Sequence, residues 1–175
     1  MTFKVGDKIV RLGQLYRIFR IKKQKTKGKE ERTIFFKAHF RTKQNRTLTY
    51  SIPIKNIGKT TIRRPISKKK LKILLKKFSK KIDIKKPVIL AQVRGILDLN
   101  DISETARILK SLWIEKNDES KNFSKSKEDV FILSMKQLVE EAAFVGEISL
   151  IRAGEKIKAG LKGGTKNDKQ NKTQK

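Results

Sequence analysis

Apolar and polar residues alternate over roughly the first sixty positions and then recur every three to four, so the pattern predicts strands first and helices after. Phe3-Lys4-Val5 reads as a short strand, Gly6-Asp7 as a turn and Lys8-Ile9-Val10 as a second strand. Leu15, Arg17, Phe19 and Ile21 fall on one strand face, and Tyr16, Ile18 and Arg20 on the other. Lys25-Thr26-Lys27-Gly28-Lys29 is a polar turn, and Thr33 to Phe40 is a β-branched and aromatic run. Thr47 to Ile52 alternates, and Pro53 closes that strand at a sheet edge. Short strands at this spacing predict a small, strongly bent sheet or barrel, with Phe19, Phe35 and Phe36 filling its core.

The period changes at Ser67. This residue is placed to N-cap a helix over 68–80 whose apolar stripe is Leu71, Leu74, Leu75, Phe78 and Ile82. Pro87 suits the first turn of a helix running through Val88, Leu90, Val93 and Leu97. Asp101-Ile102-Ser103-Glu104 has the form of a capping box, with Ile102, Ala106, Leu109, Leu112 and Trp113 turned inward behind it. A polar loop spans 117–123. Ser124 or Ser126 then caps a long helix to about Phe144, and 147–160 adds another. The glycine- and lysine-rich segment 160–175 has too little apolar surface to order itself. The expected fold class is therefore α+β: a small bent β-sheet or barrel at 1–66, an all-α domain of four to five helices at 67–159, and a disordered basic tail at 160–175.

Charge sharpens this division. The 175 residues carry 45 Lys and Arg against 17 Asp and Glu, a net charge of +28. Residues 1–66 hold 19 basic and 3 acidic side chains, and residues 67–86 hold 10 and 1. Residues 87–160 are balanced at 11 and 12, and 161–175 carry 5 and 1. A polarised excess points to a polyanionic partner whose affinity falls steeply with salt.

Other chemistries find little support. The chain has no cysteine, which removes disulfides and thiolate metal sites and fits a reducing cytosol. His39 is the sole histidine and reads as a strand residue. No serine lies in a nucleophile elbow, and the Gly160–Lys166 cluster lacks the order of a phosphate loop. Trp113 has the geometry of a DNA wedge in principle, but its spacing puts it on the inward stripe. Neither a signal peptide nor a membrane-spanning run is present, so the expectation is a cytoplasmic, non-enzymatic protein without metal or cofactor.

Several segments, in order, resemble the CarD/CdnL family of bacterial transcription regulators, whose first module is shared with the transcription-repair coupling factor. Phe3 to Val10 resembles the family's opening and Ile21 to Gly28 its turn. Ile52-Pro53-Ile54-Lys55-Asn56 with Ile62-Arg63 resembles its Val-Pro-x-x-Asn…Val/Leu-Arg signature. Ala106 to Trp113 and Ser124 to Phe144 are similar to two of its helices. The resemblance implies a Tudor-like β module bound to the RNA polymerase β subunit and a helical domain on promoter DNA, stabilising the open complex.

By that resemblance the polymerase-facing positions are Gln24, Lys25 and Ser51, joined by Lys22, Lys23 and Lys27. The DNA-facing positions are Lys72, Lys76, Lys77, Lys80, Lys81, Lys85 and Lys86. Many family members insert a tryptophan into the melted bubble; the matching place here is Lys86, which reaches phosphate rather than wedging. The expected protein is a monomer at the nucleoid, with a general RNA- or ribosome-binding protein as the alternative.

Overall fold

A computed structural model describes residues 2–26, 29–80 and 89–170, and the chain divides into two units, Met1–Pro65 and Ile66–Lys175. The fold is α+β: a four-stranded antiparallel sheet that stays open, followed by five helices.

In the first unit, β1 (Lys8–Arg11), β2 (Gln14–Thr26), β3 (Lys29–Ala38) and β4 (Tyr50–Pro53) form a meander in chain order. Arg11 pairs with Gln14, so Leu12-Gly13 is a two-residue turn. Both residues have positive φ, 48° and 71°, the handedness that matches strand twist. Glycine takes that conformation freely, while leucine is strained in it. Leu12→Asn is expected to raise the unfolding free energy by about 1 kcal/mol, read from urea denaturation. A destabilised variant would mean that Leu12 holds the turn by its side chain.

The segment Phe3-Lys4-Val5 forms no strand, contrary to the alternation. The Asp7 carboxylate accepts the Lys4 backbone N–H at 3.0 Å, and Gly6 turns the chain at φ 97°. The chain is thereby committed to a loop that drops Phe3 into the core. That core is Phe3, Ile9, Tyr16, Ile18, Ile34, Phe36, Ile57 and Ile62. Tyr16 meets Phe36 and Tyr50 edge to face, at centroid distances of 5.3 and 5.4 Å.

A bulge in β2 breaks the simple alternation. Ile18 opposes Phe36 and Arg20 opposes Phe35, which leaves Phe19 as the extra residue. Ile21 is thereby returned to the core side beside Ile18. Phe36 is buried as expected, but Phe19 and Phe35 are only half-buried and lie on the opposite face. Assigning them to the core was wrong because neighbours along a strand point to opposite sides: with Ile18 and Phe36 inward, Phe19 and Phe35 turn outward.

The two sheet edges differ. A 3-10 turn, Ile54–Lys59, follows β4 and carries the chain back to β1. There Val10 and Arg63 exchange both backbone hydrogen bonds, at 2.8 and 3.1 Å. The β1 edge is thus occupied at its centre, while β4 pairs only with β3.

The second unit contains α1 (Lys68–Ser79), α2 (Leu90–Asp98), α3 (Ile102–Lys116), α4 (Lys125–Gly146) and α5 (Leu150–Gln170). Ser67, Asp101 and Ser124 cap α1, α3 and α4 by accepting backbone N–H bonds from Lys70, Ser103 and Lys127. Glu104 pairs with Arg107 at 2.9 Å. The helix expected from Pro87 begins later: Pro87 and Val88 lie outside the described residues, and Ile89 is extended, so α2 starts at Leu90. Leu71, Leu74 and Phe78 of α1 join Leu109, Leu112, Leu138 and Ile157 among the buried side chains.

The disordered tail expected at 160–175 is corrected over its first part, because α5 continues to Gln170. Ala153, Ile157 and Leu161 are each 1% exposed, so the helical stripe runs past Gly160. Gly160 was expected to open the disordered tail, but a Cβ there would come within 3.1 Å of the Phe78 Cβ. Its missing side chain lets α5 approach α1. Residues 171–175 lie outside the described residues.

Two buried charges tie the unit together. The Lys110 ammonium, on a residue only 3% exposed, donates to the carbonyls of Lys77 and Lys80 at the end of α1. A cation there meets the negative end of the helix dipole. Glu141, 1% exposed, accepts the Ile66 backbone N–H at 2.8 Å.

Candidate nucleic-acid interface

Because Leu71, Leu74 and Phe78 face inward, most of the remaining circumference of α1 is lysine, interrupted by the exposed Ile73. Lys69, Lys72 and Lys76 succeed one another at three- and four-residue intervals, a single stripe along the helix, Lys80 follows at its extended C-cap, and all four are exposed. None has an ion-pair partner among the described residues. Lys68 differs, since its ammonium donates to the Glu147 carboxylate at 2.8 Å and holds that carboxyl below its ordinary pKa. Lys70 and Lys77 flank a separate cleft of about 310 Å³ between α1 and α3, floored by Ile73, Leu74 and Phe78.

The second cationic surface is the outer face of the sheet. Strand alternation puts Arg17, Phe19, Lys22, Gln24, Phe35, Lys37 and Ser51 on that side, and the bulge adds Arg20. The Arg20 guanidinium lies 4.5 Å from the Phe35 centroid and 5.9 Å from that of Phe19. The Lys37 ammonium is 5.1 Å from the Phe19 centroid. These are cation–π distances. Glu31, the one acid on this face among the described residues, is engaged by Lys55.

Local electrostatics agree with an excess of positive charge. Burial pushes the Lys8 ammonium below its ordinary pKa, and the charge of Arg17 adds to the shift. Burial likewise lowers His39, with Lys8 and Arg17 contributing. His39 sits just past the end of β3 rather than within a strand.

Of the positions expected to face the polymerase, Lys22, Gln24 and Ser51 share the outer sheet face. Lys23 points to the other side, where it pairs with Glu30 at 3.9 Å. Lys27 and the side chain of Lys25 lie outside the described residues. Of the positions expected to face DNA, Lys72 and Lys76 share the α1 stripe, Lys80 is the exposed C-cap of the helix, and Lys77 borders the cleft. Lys81, Lys85 and Lys86 lie outside the described residues. Lys69, Arg17, Arg20 and Lys37 were not among the positions expected to face polymerase or DNA, although the sequence mixes the last three with aromatic rings. Lys69 was legible from helical spacing; the other three depend on which face a bulged strand presents.

Among the described residues no group of three His, Asp or Glu side chains is placed to hold a metal ion. No helix there is long and apolar enough to cross a membrane. No family model matches the chain, and no curated protein matches it. The functional reading therefore rests on the surfaces themselves and on the sequence resemblance.

Proposed function

We propose that this chain is a CarD-like transcription regulator that docks on the RNA polymerase β subunit and holds promoter DNA, favouring the open complex without catalysing a reaction. The observation that carries the reading is the α1 stripe of Lys69, Lys72 and Lys76 with Lys80 at the helix C-cap, exposed cations with no acidic partner among the described residues. Such a row exchanges bound counterions for phosphates and is indifferent to base sequence.

The open β4 edge supports the polymerase half of the proposal. An unpaired strand edge accepts an added strand from a partner through backbone hydrogen bonds, and neighbouring side chains set the selectivity. Ser51 lies in β4 itself, and Lys22 and Gln24 lie on the same sheet face. Binding favours melting only so far as it is tighter to open than to closed promoter.

The test is retention of the intact protein on immobilised polymerase β subunit at low salt, alongside co-sedimentation with ribosomes. Retention on the β subunit is the expected result. A folded sample that ignores the polymerase and pellets with ribosomes would replace this reading with a general RNA- or ribosome-binding role.

A further inference from the structure

We propose that the outer face of the β2–β3 hairpin is a stacking platform for an unpaired DNA strand. A one-sided antiparallel sheet normally gives its outer face to polar side chains. Here that face carries two phenyl rings, Phe19 and Phe35, and both stay half-exposed. Phe19 follows the inward Ile18 and turns outward by alternation, and the bulge between Ile18 and Arg20 brings Arg20 to the same side. The rings are not part of the core cluster, so their presence is not a packing requirement of that core.

The cations around the rings define the ligand. Arg20 lies over Phe35 at 4.5 Å and Lys37 over Phe19 at 5.1 Å, with Arg17 and Lys22 on the same face. None of these four has an ion-pair partner among the described residues. A guanidinium spread on a ring offers a flat, positively charged top on which a base can lie as a third layer. The lysines and Arg17 stand beside it for the flanking phosphates. Each ring serves one base, so the platform receives two stacked bases at a time.

A duplex cannot use this arrangement, because its bases already stack on one another. An acidic peptide would use the cations but have no need of the rings. A single strand uses both, and every base has a face to stack. The choice of DNA over RNA rests on the function proposed above, whereas the stacking does not. The platform uses side chains on the sheet face, whereas polymerase docking uses the backbone of the β4 edge, so either can fail without the other.

The experiment is fluorescence anisotropy on the full chain with a short oligothymidylate, the matching oligouridylate and a DNA duplex. The double variant Phe19→Leu and Phe35→Leu keeps the charge and removes the rings. It is expected to lose about ten- to a hundredfold in affinity for oligothymidylate, to leave duplex binding within about twofold, and to keep the salt slope. Equal losses on single strand and duplex, or no loss on either, overturn the proposal. Tighter binding of oligouridylate than oligothymidylate overturns the assignment to DNA.

Circular dichroism checks that the double variant folds. If it does not, Arg20→Gln is compared with Lys43→Gln, which removes the same charge from an exposed loop position. Stacking requires Arg20→Gln to cost single-strand affinity several-fold more. Equal effects of the two variants overturn it.

Discussion

Truncating Phe78 to alanine is expected to lower the unfolding free energy of the helical unit by roughly 3–5 kcal/mol, among the largest effects of any single change in the chain. The ring is 1% exposed. It sits on the inward stripe of α1, and its Cβ lies against Gly160 of α5. Removing it opens a void between two helices and takes away the surface on which α5 closes. Trp113 is the only tryptophan, lies in α3 and stacks on Phe131 of α4 at 6.2 Å, so its fluorescence in a urea titration reports this unit. Gly160→Val tests the same contact from the other side and is expected to cost about 1–3 kcal/mol by overpacking. If both variants unfold like the parent protein, α5 does not depend on its seat against α1.

The second large effect concerns binding. Replacing Lys72, Lys76 and Lys80 together by glutamate is expected to weaken duplex DNA binding on the order of a hundredfold at about 0.1 M salt. The slope of log affinity against log salt should fall by about 0.9 for each lost phosphate contact, nearly three units for the triple variant. All three side chains are exposed, so the fold should persist apart from a few tenths of a kcal/mol for acids near the C-terminus of α1. Anisotropy across a salt series measures the slope directly. An unchanged slope would mean that the stripe merely solvates its helix.

The starts of α1, α3 and α4 were legible because their signals are local. Ser67, Asp101 and Ser124 each accept a backbone N–H two or three residues ahead, as their side-chain chemistry favours. The lysine stripe was legible for the same reason, since one helical period fixes which residues share a side. What escaped notice depended on distant partners. Gly160 and Gly163 weaken a helix in isolation, yet Gly160 is where α5 meets Phe78. Nothing within a few residues of Gly160 announces that contact. Phe19 and Phe35 were assigned inward because a small sheet needs rings for its core, yet each adjoins an inward residue, Ile18 or Phe36, and so turns outward. The loop at Phe3 was decided by the Asp7 carboxylate, which competes with a ladder for the Lys4 N–H. The candidate interface was therefore half readable: its helical part by period, its sheet part only once the register was known.

The Val10–Arg63 bridge also bears on what many copies of this protein do together. Fibrillar growth by strand pairing needs two adhesive margins on every molecule, one to receive and one to extend. With β1 already occupied at its centre, two molecules joined through β4 would satisfy each other and leave nowhere for a third. Crowding this protein should therefore yield pairs at most along that route, never an endless ribbon.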